Sequence, residues 1–171
     1  MKIISLTIPD IKLLVPEVYY DKRGFFLESF NEKLFNSSVN ENFHFVQDNH
    51  SKSKKGVLRG MHYQVHPFEQ GKLVRVISGE VYDVALDIRR DSATYGKWVS
   101  EILSAENNKQ LWIPPGFAHG FLTLSNEAEL LYKTTNYYSK ENERLIKFND
   151  SRFNIKWPEL DMHFTLSEKD S

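Results

Sequence analysis

Apolar and β-branched residues alternate with polar ones through the middle of the chain, in short runs broken by Gly, Pro, Asn and Asp. Such a period of two is the mark of antiparallel strands with one face buried. Lys72–Ile77 and Val81–Ile88 are the clearest runs, with Ser78-Gly79-Glu80 between them reading as a hairpin turn. Further strands are expected at Trp98–Ser104, Lys109–Ile113, Gly120–Leu124 and Ala128–Tyr137. Glu32–Ser38, behind the cap candidate Asn31, is the best short helix, and Ser139–Glu143 reads as a helical turn. Neither is long enough to found a layer. His50–Lys55, rich in Ser and Lys, reads as a solvated loop. Many short strands with two minor helices predict an all-β barrel or jelly roll with short flanking helices.

Parity also marks residues out of place. Lys72 shares a face with Val74 and Val76, and Asp83 shares one with Val81 and Ala85. Charges on apolar faces are costly unless paired or employed. Arg59 and His62 fall on opposite faces of a regular strand, but the intervening Gly60 permits a bulge that turns both toward one site.

The chain has 171 residues, enough for one domain over residues 1–171 with a sizeable core. A net charge of −1, with 22 Lys+Arg and 23 Asp+Glu intermixed, provides no basic field for nucleic acid and no polybasic membrane anchor. The absence of cysteine excludes disulfides, thiolate nucleophiles and Cys-type zinc sites, and is compatible with a reducing compartment. With neither a leader-like apolar segment nor a stretch of membrane-spanning length, a cytoplasmic protein is the expectation.

Two segments bear on chemistry. Gly56-Val57-Leu58-Arg59-Gly60-Met61-His62-Tyr63-Gln64 and Pro114-Pro115-Gly116-Phe117-Ala118-His119 resemble the paired histidine motifs of a cupin barrel with one ligand replaced. A metal-binding cupin supplies G-x5-H-x-H-x3/4-E and P-x-G-x2-H, whereas the second His here is Gln64. The amide is a weak ligand, so His62, His119 and Glu69 form an incomplete set, and a His freed from metal is available for proton transfer. Arg59, His62, Lys72, Asp83, His119 and Tyr132 all lie in strand-like segments that a barrel mouth could gather into an anion site beside a proton-transfer site. Three of them have a plainer reading: His62 as a hydrogen-bonded core histidine, Lys72 as a charged guard on an edge strand, and Tyr132 as core packing. No local pattern recruits His44, His50, His66 or His163, which are expected at the surface.

Six ordered blocks sharpen the choice. Gln47-Asp48-Asn49-His50-Ser51, the Gly56–Gln64 segment, Gln70-Gly71-Lys72-Leu73-Val74-Arg75, Asp83–Arg90, Gln110–Phe121 and Leu166-Ser167-Glu168-Lys169-Asp170 closely resemble the dTDP-4-dehydrorhamnose 3,5-epimerase family across nearly the whole chain. The resemblance implies a cupin-type jelly-roll barrel, a homodimer, and inversion of C3 and C5 of dTDP-4-keto-6-deoxyglucose through an enolate, without cofactor or metal. It further implies His62 as the base, Asp170 as its orienting carboxylate, Lys72 as the enolate stabiliser and Tyr132 as the acid on the opposite face. Asp83 is the alternative orienter, because Asp170 is the penultimate residue. Arg23 and Arg59 resemble the diphosphate ligands, and Phe26, Glu28, Gln47, Asn49, His119, Tyr138, Glu143 and Lys169 the remaining substrate contacts. A dimer would cover the edge offered by Ile3–Ile8 and Ile11–Val15 and would bring Arg23 or Phe26 to the neighbour's site. The rivals are inversion at C3 alone or keto-isomerisation on the same barrel, a metal-dependent cupin oxygenase, and a non-catalytic sugar-binding barrel.

Overall fold

The computed structural model describes residues 1–171 and is almost entirely β. Six strands form one antiparallel sheet: β1 (Lys2–Ser5), β2 (Lys12–Val15), β5 (Gln47–Lys54), β7 (Lys72–Ser78), β10 (Gln110–Ile113) and β12 (Glu127–Thr134), in the order β1-β2-β10-β7-β12-β5. Five form the second: β6 (Leu58–Gln64), β8 (Glu80–Asp87), β9 (Trp98–Ser104), β11 (Phe117–Thr123) and β13 (Glu143–Leu145), in the order β13-β6-β11-β8-β9. The hairpin β3 (Val18–Asp21) and β4 (Gly24–Leu27) pairs only with itself. The expected jelly-roll class is observed.

The period of two decides what is buried. Val74, Val76, Val81, Ala85, Leu111, Ile113, Phe117, Phe121 and Leu130 point between the sheets and form one core cluster. Lys72 (8% exposed) and Asp83 (fully buried) lie on these same inward faces, as parity requires. The opposite face of the larger sheet buries Leu14, Leu73 and Trp112 beneath α1 (Glu32–Val39). Asn31 caps that helix by accepting a hydrogen bond from the Leu34 amide at 3.2 Å, and Asn40, in the left-handed region at φ 57°, ends it. Phe35 anchors it edge-on to Trp112, with ring centroids 4.9 Å apart. Met61, Val84, Leu86, Ala118 and Ile146 do the same work outside the smaller sheet, under Phe153, Ile155 and Trp157.

Three local expectations are corrected. Ser78-Gly79-Glu80 does not close a hairpin, because β7 and β8 belong to different sheets. Gly79, at φ 73°, turns the corner between them, and a Cβ there would lie 2.1 Å from the Glu127 carbonyl oxygen. His50–Lys55 is not a loop either, since residues through Lys54 form most of β5, paired along its length with β12. Its polarity is explained by position: Asp48, His50, Lys52 and Lys54 face solvent at a sheet edge, while Gln47, Asn49 and Ser51 line a polar cavity. Ser139–Glu143 is a turn running into β13, leaving one helix rather than two.

Candidate active site

Gly60 produces the bend that organises the site. Arg59 pairs with Phe121 and His62 with His119, so the ladder between β6 and β11 takes an extra residue on β6. Gly60 sits at φ +119°, and a Cβ there would lie 2.4 Å from the Gly120 Cα. Arg59 and His62 thus reach the same cavity, as the sequence suggested.

This cavity, of about 320 Å³, opens between the two sheets. The larger sheet contributes Gln47, Asn49 and Ser51 from β5, Lys72 from β7 and Tyr132 from β12. From the smaller sheet come Arg59, His62 and Gln64 on β6, His119 and Phe121 on β11, and Glu143 on β13. Tyr138 and the terminal residues Ser167, Lys169 and Asp170 complete the wall.

His62 lies between two carboxylates, with Nε2 2.7 Å from Asp170 Oδ1 and Nδ1 3.1 Å from Glu143 Oε1. Both are charge-pairing distances without hydrogen-bond alignment, since His62 Nδ1 and Asp170 Oδ1 are buried with no hydrogen-bond partner. Of the two aspartates considered as orienters, Asp170 is the one at His62. The alternative, Asp83, is engaged elsewhere: both its oxygens lie 3.0 Å from His119 Nε2 in a buried pair. Burial is the strongest influence on His62 and drives its pKa below the usual 6.5; Lys169 and Lys72 reinforce the shift, and the two carboxylates oppose it. The ring is therefore a neutral base at pH 7.

Lys72 is enclosed, and burial pushes its pKa from 10.5 to about 8 against the pull of Asp83 and Glu143. Its ammonium donates to the His62 carbonyl at 3.3 Å. β7 is an interior strand, so an edge guard is not its role. Tyr132 has its pKa raised chiefly by burial, which keeps the phenol protonated. Arg59 is fixed by Nε donation to Ser53 Oγ at 3.0 Å and Nη2 donation to the Lys52 carbonyl at 3.2 Å. Glu143 accepts from Tyr138 Oη at 2.8 Å and from Lys169 Nζ. Burial would raise the Glu143 pKa, yet these two hydrogen bonds and the nearby His62 and Lys169 charges carry it downward overall.

The cupin donor set does not fit a metal here. Gln64 spends its amide on the Phe68 and Tyr137 carbonyls and the Ser139 amide, which shapes the cavity wall. His119 is committed to Asp83, and Glu69 faces His66 at 3.4 Å. No group of three or more His, Cys, Asp or Glu side chains is placed to hold an ion.

Gln47, Asn49, Arg59, His62, Lys72, His119, Tyr132, Tyr138, Glu143, Lys169 and Asp170 all meet at this cavity. Arg23, Phe26 and Glu28 do not. Arg23 pairs with Asp21 on the outlying hairpin with 84% of its side chain exposed, Phe26 is 69% exposed, and Glu28 accepts from Asn31. Ser51, Ser53 and Ser167 were missed. Continuing the alternation of Gln47 and Asn49 through the supposed loop finds the first two, and the three-residue spacing to Asp170 points to the third.

An antiparallel jelly roll holding a neutral imidazole, a buried ammonium and a protonated phenol around one polar cavity defines a cupin-type barrel equipped for proton transfer. The family described as dTDP-4-dehydrorhamnose 3,5-epimerase matches residues 5–171. The chain belongs to this family. It is 58% identical over 170 residues to a dTDP-4-dehydrorhamnose 3,5-epimerase from Shigella flexneri, covering 99% of this chain and 93% of the relative. The crystal structure of a dTDP-6-deoxy-D-glucose-3,5-epimerase from Legionella pneumophila, in complex with dTDP-4-keto-L-rhamnose, superposes with a TM-score of 0.95 at 51% identity, covering 99% of this chain and 89% of that one. A 3'-monoepimerase from Streptomyces bikiniensis, in complex with dTDP-quinovose, has a TM-score of 0.89 at 31% identity, covering 96% and 83%.

Proposed function

We propose that this chain inverts C3 and C5 of dTDP-4-dehydro-6-deoxy-D-glucose to give dTDP-4-dehydro-L-rhamnose, with His62 as base and Tyr132 as acid. The observation that carries the reading is that these two groups project from opposite sheets into one cavity. Both carbons flank the C4 ketone. His62 takes the proton from the carbon, the electron pair moves into the C4 oxygen as an enolate, and Lys72 stabilises the developing charge. Tyr132 then delivers a proton to the other face and regains one from solvent. Each cycle breaks and remakes one C–H bond with no net oxidation, so neither nicotinamide nor metal enters the balance. Asp170 steadies the imidazolium formed midway. Arg59, held from behind by Ser53, offers its remaining guanidinium nitrogen to the diphosphate.

Arg23, Phe26 and Glu28 fit this scheme in a homodimer. The hairpin that carries the first two exposes Tyr19, Tyr20, Phe25 and Phe26 at 56–73%, an aromatic patch that a second copy would cover, bringing these residues to the partner's cavity. Sedimentation showing a fully active monomer at micromolar concentration would overturn the dimer. No helix is long and apolar enough to cross a membrane.

Incubation of the purified protein with dTDP-4-dehydro-6-deoxy-D-glucose, followed by proton NMR of the reduced sugar, tests the activity. The L-rhamno configuration is expected. Inversion at C3 alone would move the chain to the monoepimerases, and unchanged substrate would overturn the proposal.

A further inference from the structure

We infer that Ser167 is a positioning residue that aims the Asp170 carboxylate at His62. The inference rests on the reading of His62 and Asp170 given above. Asp170 is only 4% exposed and its carboxylate points at the imidazole.

The chain holds it in two stages. Thr165 bridges to Val57, with the Leu58 amide donating to the Thr165 carbonyl at 3.0 Å and the Thr165 amide to the Gly56 carbonyl at 2.8 Å. That pins the terminal segment to the start of β6, the strand carrying His62. A turn then follows, closed by the Asp170 amide on the Ser167 carbonyl at 3.0 Å. Within it Ser167 Oγ donates to Asp170 Oδ2 at 2.7 Å and lies 3.3 Å from the Asp170 amide as acceptor.

The two carboxylate oxygens thereby receive different tasks. Oδ2 is committed to Ser167, which fixes the rotation of the carboxylate, and Oδ1 is left 2.7 Å from His62 Nε2. Without the hydroxyl, Oδ2 loses the hydrogen bond that holds it and the carboxylate can turn away from the ring. A carboxylate turned away from the ring supports the imidazolium less, so loss of the hydroxyl lowers the pH at which His62 becomes a free base. The other groups around His62 stay in place: Glu143 from β13, Lys169 from the same turn, Lys72 from β7 and His119, tied to Asp83, from β11.

The test compares Ser167→Ala, Ser167→Thr, Ser171→Ala and Asp170→Asn. Ser167→Ala keeps the backbone closure of the turn, so it should fold normally and bind dTDP as the parent does. Its kcat should fall on the order of tenfold with KM nearly constant, the scale of a misoriented catalytic group. The acid limb of its pH–rate profile should move downward by about half a pH unit. Ser167→Thr, which retains the hydroxyl, should restore both. Ser171→Ala removes the 2.9 Å bond from Ser171 Oγ to the Ser167 carbonyl and disturbs the same turn without touching the carboxylate, so it should be unaffected. Wild-type kcat and acid limb in Ser167→Ala, or an equal loss in Ser171→Ala, would overturn the inference. Full activity in Asp170→Asn would instead remove the role of Asp170 itself.

Discussion

Replacing Lys72 with Met should abolish activity while making the protein more stable at neutral pH. The two side chains are similar in length and the site is enclosed, so the substitution removes a charge with little change of shape. Burial lowers the Lys72 pKa from 10.5 to about 8. At about 1.4 kcal/mol per pH unit, keeping that ammonium charged in the folded protein costs about 3 kcal/mol at pH 7. Lys72→Met removes the penalty, offset in part by the lost hydrogen bond to the His62 carbonyl. A gain of about 1–2 kcal/mol is expected in urea unfolding at pH 7. The pH dependence identifies the cause. Between about pH 8 and 10.5 the unfolded chain binds a proton at this lysine that the folded chain does not, so wild-type stability rises through that window by up to about 3 kcal/mol. The variant should lack this rise, and the two curves should converge toward pH 10.5. Meanwhile kcat should fall by about 100-fold or more, the scale for losing a donor to a developing oxyanion. A variant less stable at pH 7, or one that keeps the alkaline rise, would refute the reasoning.

His62→Ala should lose at least about 100-fold in kcat while still binding dTDP by calorimetry, because Arg59 and the β5 amides are untouched. The pH–rate profile should be bell-shaped, with an acid limb below 6.5, where His62 becomes protonated, and an alkaline limb near the Lys72 value of about 8; a profile flat from pH 6 to 9 would contradict both assignments. Gly60→Ala should destabilise by roughly 3 kcal/mol or more in denaturant titrations, because its φ is strained for a side chain and its Cβ would meet Gly120. EDTA treatment should leave turnover unchanged; loss restored by one added divalent ion would overturn the metal-free scheme.

The faces of the strands were legible in the sequence because a half-buried sheet sorts residues by parity. Lys72 and Asp83 stood out as inward charges before any contact was known, and one glycine sufficed to suggest the bulge that joins Arg59 to His62. β5 was misread because its hydrophobic signal is absent: one face meets water and the other meets a polar cavity, so a functional strand has the composition of a loop. The turn at Gly79 looks the same in sequence whether the chain folds back or crosses to the facing sheet, since both need a residue at positive φ. The Asp83–His119 pair joins segments 36 residues apart, and the Ser167–Asp170 turn meets His62 only because Thr165 docks on the start of β6, neither of which a local periodicity encodes. The roles proposed for His62, Lys72, Tyr132 and Asp170 came from family resemblance, and all four residues line the cavity.

The central claim is that two carbons each lose a proton to His62 and regain one from the opposite wall through Tyr132. The reaction run in deuterated water, with wild type beside Tyr132→Phe, tests it most directly. Wild-type product should carry deuterium at both C3 and C5, and Tyr132→Phe should still exchange the C–H protons while failing to complete inversion at C5. Wild-type product inverted at both carbons yet free of deuterium at either, or undiminished inversion at C5 in Tyr132→Phe, would contradict the account.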